Sequence, residues 1–137
     1  MRKELYGTNQ TIFMSIHITL PMPPSVNKAY AGFPKRHKSN EYKKWEKEAE
    51  IALKTQTKYS IEGDNWLSAM YVLHTDLHYK NGKKKVIDVA NYEKIATDLL
   101  CKKIEWLEDH KIISITLLKK QKEGEDYIEI FIDEILT

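Results

Sequence analysis

Six segments of the chain alternate between the hydrophobic periodicity of a β-strand and that of an α-helix, and their order limits the available folds. Four have the alternating, β-branched pattern of strands, and two repeat apolar residues at helical spacing. They lie at residues 15–20, 40–56, 65–76, 89–103, 112–118 and 127–135. The order β-α-β-α-β-β predicts an α/β fold of the mixed α+β kind, with one mixed sheet and two helices packed on it. The last two segments predict an antiparallel hairpin.

The chain of 137 residues is near the commonest size of a single domain. We expect that domain at residues 14–137 and an N-terminal extension or tail at residues 1–13. No apolar run approaches the roughly 20 residues of a membrane helix, and the N-terminus lacks the apolar stretch of a secretory signal, so we expect a cytoplasmic protein without a membrane partner. The single cysteine, Cys101, excludes an internal disulfide and a thiolate zinc site.

Charge is sorted along the chain, although the formal net charge is only +2. Seven basic and two acidic residues lie between Lys28 and Lys47, four lysines and no acid lie between Tyr79 and Lys85, and the last fifteen residues hold six carboxylates and no base. A polyanion would therefore be attracted to one side of the molecule. The candidate DNA-binding residues are Lys83, Lys84, Lys85, Lys28, Lys35, Arg36 and Lys38. Such runs are also typical of solvated surfaces, so charge alone does not establish DNA binding.

Several polar side chains gather at the start of the second predicted helix. Asp88 is expected at the N-cap, and helical spacing puts Asn91, Lys94 and Asp98 on one face. Each residue also has a structural interpretation, because Asp favours N-caps and Lys94 with Asp98 is an ordinary i,i+4 ion pair. The grouping nevertheless indicates a candidate site on this helix.

Two other groups are candidates for metal or catalytic chemistry. Glu108 and Asp109 lie between the second helix and the next strand, where loops often carry function, although turns have the same composition. The alternating His74, Asp76 and His78 form a rival metal pattern at the end of a strand. Same-face side chains of one strand run roughly parallel and converge poorly on one ion, which argues against the rival pattern.

Four pieces of the sequence, at matching separations, carry a resemblance to a known family. They are SIHITL from Ser15, PMPPSVNKAY from Pro21, the motif KKK(x)2D(x)2N(x)2K from Lys83 to Lys94, and WLEDHKII from Trp106. Together they resemble the RusA family of Holliday junction resolvases. The likeness covers about 120 residues, from Ser15 to the C-terminus.

The resemblance implies an endonuclease that resolves four-way junction DNA, depends on Mg²⁺, with Mn²⁺ as a substitute, and acts as a homodimer in a bacterial or phage setting. Carried over by position, the catalytic residues are Asp88, Asn91, Lys94 and Asp109, and the metal ligands are Asp88 and Asp109. The family's second motif aspartate falls on Ala90. Because clustered carboxylates supply the oxygen ligands of Mg²⁺, the loss of this one should weaken metal binding and disable cleavage.

Two explanations of Ala90 stay open on the sequence: a deliberate replacement that disables the nuclease, and a natural loss of catalysis with DNA binding retained. The persistence of Asp88, Asn91, Lys94 and Asp109 favours the first. A non-catalytic junction-binding protein is thus the alternative function, and an unrelated protein with solvated lysines is a third. Salt-dependent DNA binding separates the third from the others, and cleavage by an Ala90→Asp variant separates the first from the second.

Overall fold

The computed structural model describes residues 3–6, 10–13, 15–32, 35–56, 61 and 64–135. The strands of this part are β1 (Lys3–Tyr6), β2 (Gln10–Phe13), β3 (Ser15–Pro21), β4 (Tyr30–Ala31), β5 (His37–Lys38), β6 (Trp66–Thr75), β7 (Ile112–Gln121) and β8 (Tyr127–Ile135). Its helices are α1 (Val26–Ala29), α2 (Asn40–Lys54) and α3 (Ala90–Lys103), with a 3₁₀ turn at Asp109–Lys111. Among the described helices, none has the length and apolar character needed to cross a membrane.

The central sheet is mixed and has the strand order β3-β8-β6-β7. Strand β8 is antiparallel to both β3 and β6, whereas β7 runs parallel to β6. Parallel neighbours require a crossover connection, and α3 lies in the connection between β6 and β7. The mixed sheet with α2 and α3 confirms the predicted fold class.

The predicted hairpin between β7 and β8 is wrong, although both strands exist. Strand β6 lies between them, and the chain passes across its end, where the Lys122 N–H donates to the Thr75 carbonyl at 3.1 Å. Residues 71–75 of β6 are all buried, whereas β7 is exposed at most positions. A strand buried on both faces is suited to the middle of a sheet, and an exposed strand to its edge.

The core lies between one face of the sheet and the two long helices. Helix α2 buries Tyr42, Trp45, Ala49 and Leu53 at helical spacing, as the sequence predicts. Ser39 caps this helix, because its hydroxyl accepts a hydrogen bond from the Tyr42 N–H at 3.1 Å. The fully buried residues of the sheet and of α3 complete the core: Ile18, Tyr71, Leu73, Ile128, Ile130, Ile132, Ile95, Ala96 and Leu100.

The sequence of residues 1–13 predicts no strand, yet β1 and β2 pair with each other in antiparallel fashion, with Lys3 opposite Phe13. Strand pairing uses backbone N–H and C=O groups, which this segment carries whatever its side-chain pattern. The division of the chain into residues 1–13 and 14–137 stays a prediction.

Ile130→Ala should lower the free energy of unfolding by about 2–5 kcal/mol, because it opens a cavity in the core. Ile130 is fully buried on β8, which has a paired strand on each side. Urea denaturation followed by circular dichroism measures the change. Ile51→Ala is the matched control, because Ile51 is 67% exposed and its truncation should shift stability by no more than about 0.5 kcal/mol. Equal losses in both variants would contradict this core.

Candidate active site

A small hairpin over Leu77–Lys85, the lysine hairpin, precedes α3. The Tyr79 N–H donates to the Lys83 carbonyl at 2.8 Å, and the chain reverses at Gly82, whose φ of +86° lies in the left-handed region that favours glycine. Asn81 and Gly82, a common turn pair, therefore form the turn of this hairpin. Of the three consecutive lysines that follow, two are exposed and the third is half-buried. The hairpin presents positive charge to solvent.

The other candidate DNA-binding residues lie between β3 and α2, a segment that we call the first basic loop. Lys28, Lys35 and Arg36 are exposed. Lys38 differs, because its ammonium group lies 2.9 Å from the Glu46 carboxylate, which neutralises part of its charge. Three of the four residues therefore offer exposed positive charge to a ligand.

Asp88 lies one residue before the N-cap position of α3, not at the N-cap as the sequence predicts. Val89 occupies that position and makes no side-chain cap. The Asp88 Oδ1 instead accepts a hydrogen bond from the Ala90 N–H at 3.1 Å, and its carbonyl accepts one from the Asn91 N–H at 3.1 Å. Asp88 therefore still stabilises the start of the helix, and its side chain is exposed.

A cavity of about 280 Å³, the carboxylate cavity, lies between α3 and the start of β7. Its lining residues are Glu93, Lys94, Thr97, Asp98, Asp109, Ile112 and Ile115. It brings together two of the residues that the family pattern assigns, Lys94 and Asp109. Asp88 and Asn91 are not among its lining residues.

Lys94 and Asp98 form the predicted i,i+4 ion pair, with 3.5 Å between the ammonium nitrogen and the carboxylate Oδ2. The two side chains are 65% and 42% exposed. Exposed pairs of this kind contribute little to stability, because water screens both charges. The Lys94 ammonium is therefore accessible to an anion that enters beside Asp109.

Glu93 is a cavity residue that sequence reasoning missed. The Thr97 hydroxyl donates to its Oε2 at 2.7 Å, and the Tyr71 hydroxyl lies 2.5 Å from the same Thr97 oxygen. Thr97 has a single proton to give, so Tyr71 must be the donor in the second bond. Burial raises the pKa of Tyr71 well above its usual range, so it stays protonated. The i,i+4 spacing of Glu93 and Thr97 was visible in the sequence, but the contact with Tyr71 was not.

Three carboxylates and one ammonium group line the cavity, so its formal charge is negative. Burial, together with the charges of Asp109, Asp98 and Glu93, raises the pKa of the nearby Cys101 thiol to about 11. Cys101 therefore stays a neutral thiol near pH 7. It is not a candidate for a thiolate nucleophile.

The carboxylates do not form a preformed metal centre. In the part of the chain that the structure describes, no three His, Cys, Asp or Glu side chains lie close enough together to hold one ion. Of the two predicted ligands, Asp109 lines the carboxylate cavity, whereas Asp88 is not among its lining residues and accepts a hydrogen bond from the Ala90 amide. The described side chains, with alanine at position 90, therefore do not fit a Mg²⁺ centre.

The rival pattern of His74, Asp76 and His78 does not converge either. His74 Nε2 lies 2.9 Å from a Glu129 carboxylate oxygen, whereas Asp76 accepts a hydrogen bond from the Gln121 side-chain amide at 2.8 Å. His78 belongs to the lysine hairpin and is exposed. The three side chains face different surroundings.

The structure thus places exposed lysines on the hairpin before α3 and a cavity lined by carboxylates between α3 and β7. The family model described as endodeoxyribonuclease RusA matches residues 19–133, which is most of the chain. The chain belongs to this family, whose nucleases resolve Holliday junctions and generally depend on a divalent metal ion. No curated protein sequence matches it.

Thr97→Val should lower the free energy of unfolding by about 1–3 kcal/mol, because the buried Tyr71 hydroxyl loses its acceptor. Tyr71→Phe removes the hydroxyl that Thr97→Val would leave without an acceptor. Thr97→Val should therefore lower the free energy of unfolding by less in the Tyr71→Phe background. Chemical denaturation of both single variants and the double variant gives the coupling free energy, expected at about 0.5–3 kcal/mol. Strictly additive losses would show that the Tyr71–Thr97–Glu93 chain is not a connected unit.

Proposed function

We propose that this chain binds four-way DNA junctions through the lysine hairpin and the first basic loop, and that it cuts them barely or not at all. The observation that carries the proposal is the alanine at position 90, where α3 begins and where the motif resemblance places an aspartate. Family membership supports junction DNA as the substrate. The exposed lysines support binding, and the lack of any group of three potential metal ligands among the described residues supports weak cleavage.

The binding surface would read the shape of DNA and not its sequence. Lysine and arginine contacts to phosphates release condensed counterions and fix the position of the backbone, but they carry no base information. The lysine hairpin leads directly into α3, so a backbone held there would lie near Lys94 and Asp109. In this proposal Lys94 neutralises charge on the attacked phosphate.

Mg²⁺ dependence, with Mn²⁺ as a substitute, is proposed for the form of this site that has a carboxylate at position 90. There, Asp88, Asp109 and the restored side chain would be the ligands. The ion would supply charge neutralisation at the phosphate and an activated water. Without that carboxylate the ligand set is incomplete, which is why we expect the present chain to be a poor nuclease.

A homodimer is the proposed assembly. A four-way junction has approximate two-fold symmetry, and its resolution requires nicks in two opposed strands. Two copies of the chain, related by a two-fold axis, would present two like sites to those strands.

A junction-binding protein that lost catalysis naturally is the second candidate. The present chain would behave in the same way under both readings, because both retain the lysines and lack the carboxylate. They differ only in whether the remaining residues, Asp88, Asn91, Lys94 and Asp109, still form a site that one substitution can restore.

Affinity for a synthetic four-way junction should exceed affinity for duplex of equal length and should fall steeply with salt, with a log-log slope of about −0.9 per phosphate contact. The Lys84→Glu/Lys85→Glu variant should bind both DNAs more weakly and with a flatter slope. Fluorescence anisotropy over a salt series measures both quantities. Lys54→Glu/Lys102→Glu is the charge-matched control, on helix ends away from the hairpin. Equal affinity for junction and duplex would contradict structure selectivity.

Ala90→Asp should raise the rate of paired junction nicking in Mg²⁺ by at least about 100-fold, the scale of one electrostatic group in a catalytic site. Ala90→Asn is the matched control, because it has the same shape without the charge and should stay inactive. Adding Asp88→Asn or Asp109→Asn to the Ala90→Asp variant should abolish the gain. A folded, junction-bound Ala90→Asp protein that makes no nicks in Mg²⁺ or Mn²⁺ would favour the binding-protein alternative.

A further inference from the structure

The lysine hairpin extends from the end of the central sheet without a core of its own. Residues 78–84 are all exposed, so burial does not fix their direction. A two-stranded hairpin by itself is only marginally stable in water. The orientation of this hairpin therefore depends on its two roots, the points at which it joins the chain after Asp76 and before Ile87.

The first root is held by the side chain of Gln121, the last residue of β7. Its Oε1 accepts a hydrogen bond from the Leu77 N–H at 3.0 Å, and its Nε2 donates one to the Asp76 carboxylate at 2.8 Å. The second bond holds the pKa of Asp76 below its usual range, so this acceptor stays charged near pH 7. The Leu77 carbonyl in turn accepts a hydrogen bond from the Lys85 N–H at 2.8 Å. One amide side chain thus connects β7 to both strands of the hairpin.

The second root is held by Lys119, which also belongs to β7. Its ammonium group donates a hydrogen bond at 3.2 Å to the carbonyl of Ile87, the residue before Asp88. Lys119 lies two residues before Gln121, and residues at this spacing share one face of a strand. Two side chains on one face of β7 therefore bind the two roots of the hairpin.

The same face of β7 also borders the carboxylate cavity. Ile115 lines that cavity and precedes Lys119 by four residues, a distance of about 13 Å along a strand. Strand β7 is kept straight by its pairing with β6, which extends from Ile112 to Gln121. It therefore sets the distance between the lysine hairpin and the cavity that contains Lys94 and Asp109.

We propose that Gln121 and Lys119 are positioning residues for DNA binding, which together form a clasp on the roots of the lysine hairpin. The inference rests on the proposed function for its ligand, four-way junction DNA. A hairpin that is ordered before it binds loses less conformational freedom on binding, so the clasp raises the affinity. Loss of the clasp leaves the lysines and their phosphate contacts in number as they were. The affinity should then fall while the salt slope stays the same.

Gln121→Met removes both hydrogen bonds of the amide without a change of charge. It should raise the dissociation constant for a synthetic four-way junction about three- to tenfold at every salt concentration, the scale of one or two lost hydrogen bonds. Thr116→Val, at an exposed position in the middle of β7, is the matched control and should leave the constant unchanged. Fluorescence anisotropy over a salt series measures both variants. A Gln121→Met protein that binds as tightly as the control would overturn the proposal.

Lys119→Met separates positioning from direct phosphate contact. Positioning predicts weaker binding with an unchanged salt slope, whereas a direct contact predicts a slope flatter by about 0.9. Lys119→Arg keeps a cationic donor and should retain most of the affinity. Lys120→Met is the charge-matched control, because Lys120 is the next residue on the strand and lies on its opposite face. A flatter slope in Lys119→Met, or an equal loss in Lys120→Met, would reject the role of Lys119 in the clasp.

Amide hydrogen exchange of the free chain tests the clasp without DNA. In Gln121→Met the Leu77 and Lys85 N–H groups should exchange at least about tenfold faster, because the root of the hairpin opens more often. The Lys122 N–H, which donates to the Thr75 carbonyl at the end of the sheet, is the internal control and should keep its rate. Unchanged exchange at Lys85 would show that Gln121 does not hold the hairpin.

The two kinds of measurement separate this inference from the proposed function. Junction binding that depends on Lys84 and Lys85 but not on Gln121 or Lys119 would reject the clasp alone. Faster exchange at Lys85 with unchanged junction affinity would reject the positioning role in the same way. An unaltered chain without affinity for the junction would reject the DNA-binding proposal, and exchange at Lys85 would then decide whether the clasp exists.

Discussion

The parallel pairing of β6 with β7 is the constraint on which the candidate site depends. Parallel strands cannot be joined by a tight turn, so the chain must return along the sheet through a crossover. That crossover contains the lysine hairpin and α3, and it ends with the 3₁₀ turn at Asp109–Lys111. The start of β7 therefore lies beside the helix that precedes it, which is why Lys94 and Asp109 line one cavity.

The core fixes one carboxylate of this region, and local backbone structure fixes another. Glu93 is held by Thr97, which Tyr71 holds from within the core, so its position follows from helix-on-sheet packing. Asp88 is held by the amide of Ala90, so its position follows from the start of α3. Position 90 is the first residue of α3 and lies between Asp88 and Glu93 in the sequence. Alanine there offers the helix good propensity but no ligand oxygen.

The edge position of β7 explains two features of the molecule at once. As the last strand of the sheet it is free to carry polar and apolar side chains on both faces, which leaves room for the carboxylate cavity beside α3. The same position leaves its outer backbone groups and three large apolar side chains exposed. An exposed apolar strand edge thus adjoins the candidate site.

Local patterns in the sequence determined the four strands of the central sheet and the two long helices. The periodicity of α2 was predictable because it depends on neighbours a few residues away. Family membership was also predictable, because the motifs and their spacing can be identified in the sequence alone. Only the tertiary structure decided that β6 separates β7 from β8, that residues 1–13 contain a strand pair, and that Tyr71 reaches Thr97 and orients Glu93. These outcomes depend on which distant segments compete best for backbone partners and burial, and a local pattern does not encode that competition.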